Sequence, residues 1–145
     1  MEREFVQENL AQRERLHALV STITDNQLQV RLPNGWPVYC ALAHLAFWDQ
    51  RSTILLRKWE KEGITPSPID PPIVNDALLP FLEAIPARIA ADLAITAAGV
   101  VDTVLEKASD DLISSIAALG DRFRLYRSEH RKLHLDAIQK AIGKG

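Results

Sequence analysis

The run PVYCALAHLAFWDQRSTILLRKWEKEG, residues 37–63, decides the fold class. Pro37 suits the first turn of a helix, where its missing N–H costs nothing. Gly63 suits a helix stop, and neither glycine nor proline interrupts the residues between. Ala41, His44, Trp48, Leu55 and Trp59 recur at three-, four- and seven-residue steps, so one face of this helix (residues 37–62) points to a core.

The flanking sequence repeats the pattern. Residues 2–24 place Val6, Leu10, Leu16, Val20 and Ile23 at helical spacing. LQVRLPNGW (28–36) is irregular, with Pro33, Asn34 and Gly35 as breakers and room for a short extended piece. ITPSPIDPP (64–72) fixes the backbone without continuing a helix, which makes it an ordered crossover. VNDALLPFLEA (74–84) reads as a short helix bent by Pro80. A third long helix is predicted over 86–108, with Ile89, Leu93, Ala97, Val100 and Val104 inward. Ser109 is the expected cap of a short segment ending near Gly120. A fourth long helix is predicted over 121–142, capped by Asp121 and stopped by Gly143. No stretch shows sustained strand alternation. The expected fold is all-α: a four-helix bundle with a long Pro-rich crossover between the second and third long helices, in one domain over residues 1–145.

Net charge is −2, which argues against nucleic acid as a partner, because phosphate binding needs a concentrated basic face. Arg122, Arg124, Arg127, Arg131 and Lys132 surround the last helix without forming one stripe, and are expected to be solvated. One cysteine, Cys40, allows no intrachain disulfide, which fits a reducing cytoplasm. The N-terminal MEREFVQENL lacks the apolar core of a signal peptide, and no apolar run reaches membrane-spanning length.

The chemistry lies in the histidines. On a helical wheel centred on His130, Phe123, Tyr126, Leu133, Ala137, Ile138 and Ala141 all lie within about 80°. His134 lies about 40° away and one turn on, so both imidazoles fall within the apolar stripe. An i, i+4 histidine pair is a recurrent metal clamp, because adjacent turns bring two ring nitrogens toward one point. His44 points to the same core if its helix packs on the last one. A single buried histidine is ordinarily explained by packing; three on apolar stripes point to a divalent metal held by His44, His130 and His134. Three imidazoles without a carboxylate suit Zn, Ni, Fe or Co, and suit Mg or Ca poorly.

Three segments also carry a family resemblance. GWPVYCALAHLAFWDQR (35–51) is similar to the Gly-Trp…His…Trp segment of DinB/YfiT-like proteins, including the N-terminal region of maleylpyruvate isomerase. VNDALLP (74–80) resembles their segment after the crossover, and RSEHRKLHLDAI (127–138) their C-terminal H-x-x-x-H signature. The resemblance covers roughly residues 28–142. It implies the same bundle, the three-histidine metal site, and an activity that uses a low-molecular-weight thiol (mycothiol or bacillithiol), as an isomerase or S-transferase on small electrophiles. Pro37 stands where the family often has Ser or Thr, and the chain ends soon after the fourth helix, which speaks against the isomerase activity itself and for a stand-alone bundle.

In such a site a bound divalent ion lowers the pKa of a water or thiol ligand. Arg51, about 20° from His44 on the wheel, is a candidate to neutralise an anionic substrate or thiol; a salt bridge is the ordinary role of such a residue. Tyr126, one turn before His130, is a candidate proton donor, with packing as its alternative. Cys40 is expected to be a packed core residue, His17 a partly exposed one, and Trp48 and Trp59 core fillers. Glu129 and Asp136 face away from the stripe. A non-catalytic metal- or ligand-binding bundle and a purely structural one remain as alternatives. Bundles of this shape pair through helix faces, so a homodimer is among the expected states.

Overall fold

The computed structural model describes residues 1–143. Seven α-helices and one 3-10 turn are present among them: α1 (Glu4–Thr22), α2 (Asp25–Leu28), α3 (Val38–Glu62), α4 (Pro71–Glu83), α5 (Ala87–Lys107), α6 (Asp110–Ala118), the turn Arg122–Arg124, and α7 (Arg127–Ile142). The four long helices α1, α3, α5 and α7 form the bundle. The irregular stretch after α2 contains an isolated antiparallel bridge between Arg31 and Pro37. None of these helices is long and apolar enough to cross a membrane.

Side-chain contacts fix the helix directions. Arg3 donates to Leu105 O (2.9 Å) and Arg88 to Val20 O (3.2 Å), so α1 and α5 are antiparallel. Asp49 pairs with Arg127 while His44 meets His130, so α3 and α7 are antiparallel. Cys40 and Ala43 pack with Ala90, while Glu60 accepts from Ser109 N (2.7 Å), so α3 and α5 run the same way. Two successive long helices in one direction require a long return, which the proline-rich crossover and α4 provide. Pro71 and Pro72 open α4 in its first turn, where they remove no helical hydrogen bond.

The buried face of α5 is not the one its bulkiest residues mark. Ala90, Ala91, Ala94, Ala98, Val101 and Leu105 are buried, whereas Ile89 and Leu93 are 51% and 42% exposed. The two sets have the same spacing and differ by one residue, about 100° of rotation. The alanine face wins because it accommodates the large side chains opposite: Ala91, Ala94 and Ala98 pack with Leu16, Leu42 and Leu45.

The last helix also differs from the predicted 121–142. Asp121 caps only the 3-10 turn, accepting from Phe123 N (3.1 Å), and α7 begins six residues later. Asn9 of α1, 1% exposed, holds the break open: its Nδ2 donates to Leu125 O (2.9 Å) and its Oδ1 accepts from Ser128 N (2.8 Å). These bonds satisfy backbone groups that an unbroken helix would pair internally. Phe123, predicted inward, falls outside α7 and is exposed; Leu133, also predicted inward, is exposed because the buried side of α7 centres on Arg131, Leu135 and Ile138.

The cap predicted at Ser109 is present. Its Oγ accepts from Leu112 N (3.1 Å) and lies 2.7 Å from Glu60 Oε2, to which it donates. Ser109→Ala is expected to lower the unfolding free energy by about 1 kcal/mol, read as a lower urea midpoint at unchanged slope.

Candidate metal centre

His44 sits in the second turn of α3, and His130 and His134 occupy successive turns of α7. The antiparallel packing brings the three rings together. His44 Nε2 and His130 Nε2 are 3.1 Å apart, and one ring nitrogen from each histidine lies within 4.8 Å of the others. Ring centroids are separated by 4.7–5.0 Å. A tetrahedral ion bonded to nitrogens at about 2.0–2.1 Å needs them about 3.3 Å apart; the His44–His130 pair stands close to that spacing, and the donor set suits a divalent ion. Trp36 and Trp48 present edges to the His44 ring at 5.3 and 6.4 Å, closing that side.

The electrostatics suit ligation. Burial, then the charges of His134 and Arg127, lower the His44 pKa to about 4. Burial, then His134, Arg127, His44 and Arg131, lower that of His130 to about 2. Burial also lowers that of His134. At pH 7 all three are neutral and carry a free lone pair, the form a metal requires. The outer contacts are unusual. His130 Nδ1 faces Arg127 Nη2 at 3.4 Å, a donor where a ligating histidine usually meets an acceptor, and His44 Nδ1 is buried with no partner among the described residues.

A cavity of about 340 Å³ opens onto His44 and His130. Trp48, Asn75, Phe123 and Arg127 line its walls, together with Ile69 and Pro71 of the crossover. Trp48 Nε1 donates to Asn75 Oδ1 (2.9 Å), tying α4 to the wall. A family model described as the DinB superfamily matches residues 9–138, a span that contains all three histidines. The chain belongs to the DinB superfamily. No curated protein and no solved structure matches it.

Behind the DinB histidine cluster lies a buried ion network. Arg127 Nε donates to Asp49 Oδ1 (2.9 Å). Arg131 Nη2 donates to Asp49 Oδ2 (3.3 Å) and Asp102 Oδ1 (2.8 Å), and its Nη1 to Asn9 O (3.0 Å). Arg13 pairs with the second oxygen of Asp102 at 3.0 Å. Arg131 is 0% exposed and Arg127 6%, so the expectation that these arginines are solvated is corrected. The reason lies in their partners: Asp49 and Asp102 come from α3 and α5, and local sequence around α7 contains neither.

The other candidate residues fall around the site. Arg51 is not on the cavity wall. Its Nη2 donates to Ser67 Oγ (2.6 Å), pinning the crossover that lines the cavity, and burial, then Arg124 and Arg127, lower its pKa. Tyr126 immediately precedes α7; its ring meets Phe5 edge-on at 6.0 Å and lies 4.0 Å from the Arg122 guanidinium. Cys40 is buried with Leu82 and Ala90, and burial raises its thiol pKa. His17 is exposed beside Ser21, and Trp59 lies in the core under Arg124. Sequence reading missed Asp49, Asn75, Arg127 and Trp36 as parts of this site. Only Asp49 carried a signal: an acid in an otherwise apolar stretch of α3 is a buried charge awaiting a partner.

Proposed function

We propose that this DinB-superfamily chain is a divalent-metal-dependent enzyme that uses a small thiol, as an S-transferase or isomerase on small electrophiles. One observation carries the reading: three neutral imidazoles converge, and two of them, His44 and His130, line a cavity sized for a small molecule. His44, His130 and His134 would hold the ion, with Zn, Ni or Fe suiting the donor set and leaving coordination positions open. When bound, the ion supplies Lewis acidity and lowers the pKa of a thiol or water ligand. The chain's own residues do the rest. Trp36 and Trp48 pack beside the His44 ring, the crossover supplies part of the cavity wall, and Arg51 holds the crossover through Ser67. A reducing cytoplasm, with Cys40 as a free thiol, is the compartment that suits such chemistry.

A non-catalytic metal-binding bundle is the second reading. The position of Tyr126 favours it, since that ring packs on Phe5 and Arg122, away from the residues that line the cavity. Elemental analysis of protein purified without a histidine tag is expected to give one transition-metal ion per chain. His130→Ala is expected to weaken metal binding by more than about 100-fold, beyond what loss of an outer contact does. A thiol–electrophile turnover screen then separates the readings: metal-dependent turnover supports the enzyme, and bound metal with no turnover for any pair supports the second. A metal-free wild type that binds no added Zn, Ni or Fe overturns both.

A further inference from the structure

Two permanently charged side chains line the cavity, Arg127 and Asp121. Behind Arg127, Asp49 is shared with Arg131, whose other carboxylate partner is Asp102. Arg51 meets only Ser67 oxygens. Asp121, the one carboxylate on the cavity wall, is committed to Arg124 at 3.0 Å and to Phe123 N. The histidines bring no negative charge, so a divalent ion bound by them would add positive charge at the cavity. Low-dielectric walls of Trp48, Ile69, Pro71 and Phe123 sharpen that field.

Within this set Arg127 is the group aimed at a ligand. It lines the cavity and is 6% exposed, so its position is set by packing. Nε is fixed on Asp49 Oδ1 at 2.9 Å and Nη1 on Phe123 O at 3.0 Å. Nη2 has only the long contact to His130 Nδ1, 3.4 Å, and no carboxylate or carbonyl partner. A guanidinium held at two corners and open at the third is preorganised for an oxygen anion.

We propose that the cavity selects small molecules bearing a carboxylate on a compact apolar body, and that Arg127 Nη2 recognises the carboxylate. A carboxylate fits better than a phosphate dianion, because one donor corner is open and Asp121 stands on the same wall. This inference rests on the cavity being the substrate site; it specifies which thiols or electrophiles enter, and Arg127 acts as a substrate-binding residue.

The test compares two thiols that differ only at one end, 3-mercaptopropionate and 3-mercapto-1-propanol. Each is titrated calorimetrically into the zinc-loaded chain and into the chelator-treated chain at low ionic strength. The carboxylate is expected to bind about tenfold more tightly or better, the usual size of a charge-assisted hydrogen bond in a buried site. Arg127→Met is expected to bring the ratio below about twofold with zinc content unchanged, and Arg127→Lys, which keeps a charge beside Asp49, to retain part of it. Equal binding of the two thiols by zinc-loaded wild type overturns the inference and leaves the metal reading standing. A ratio that persists unchanged in both variants overturns the role of Arg127. If the wild type takes up no zinc, the metal reading fails by itself, and a tenfold ratio on the metal-free chain still supports carboxylate selection, whereas a ratio near one refutes it.

Discussion

Arg131→Met is expected to remove about 3 kcal/mol of stability, a large part of the 5–15 kcal/mol typical of a folded domain. The side chain is wholly buried and bonds to groups from three other helices: Asn9 O of α1, Asp49 of α3, and Ala98 O and Asp102 of α5. Methionine fills much of the volume but donates nothing, so two carbonyls lose a donor, and the buried Asp49 and the partly buried Asp102 lose a counter-charge. The effect stays near the low end of the range for broken buried pairs, because Asp49 keeps Arg127 and Asp102 keeps Arg13. Arg122→Met is the matched control: its partner Glu129 is a surface residue and the arginine is 61% exposed, so the change should stay within about 0.5 kcal/mol. Urea unfolding of both variants decides it. Equal, small shifts for the two would show that the network on Arg131 contributes nothing to the fold.

The contrast between these arginines also shows where sequence reading stops. Both lie in one basic stretch, and nothing local distinguishes them. What separates them is the arrival of Asp49 and Asp102 from other helices, a tertiary fact. The same limit explains α5. Its periodicity is legible, but two interleaved sets, one bulky and one of alanines, satisfy it equally. The choice is made by the partner surface of Leu42 and Leu45, which leaves Ile89 and Leu93 outside. The α7 start was missed for a related reason: the capping groups come from Asn9, more than a hundred residues away.

The bundle, its crossover and the convergence of the three histidines were legible because they depend on features that survive a small error of phase. Pro37, Gly63 and the proline run punctuate the chain whatever the neighbours do. The His130 and His134 spacing keeps both rings on one side of α7 wherever that helix begins, and His44 lies deep in a helix buried on most of its surface. Arg51 illustrates the opposite case. A wheel angle near that of His44 put it on the right side of α3, but two turns along the axis carry it past the histidines, to Ser67 of the crossover. Angular position was readable; what lay at that height was not.

The metal-free chain is expected to lose stability as pH falls from about 6.5 toward 4. An unfolded histidine takes up a proton near pH 6.5. His44 resists until about pH 4 in the folded chain, and His130 and His134 shift in the same direction. Across that window the unfolded state binds more protons than the native state, so stability rises with pH, is complete above about 6.5, and is lost on acidification until the folded groups titrate. The His44 shift alone corresponds to roughly 3 kcal/mol, and the other two histidines add to it. Surface carboxylates with lowered pKa values, Glu60, Asp110 and Asp136, act only below about pH 4–4.5, where unfolded carboxylates protonate, so the upper part of the window belongs to the imidazoles. Urea midpoints of chelator-treated protein measured from pH 7.5 to 5 should fall steadily below 6.5, and His134→Ala should flatten the slope. A wild-type profile level between pH 6.5 and 5 would mean that the rings gain protons as readily in the folded chain as in the unfolded one. The buried, uncharged cluster would then be wrong, and with it the supply of free lone pairs on which ligation depends.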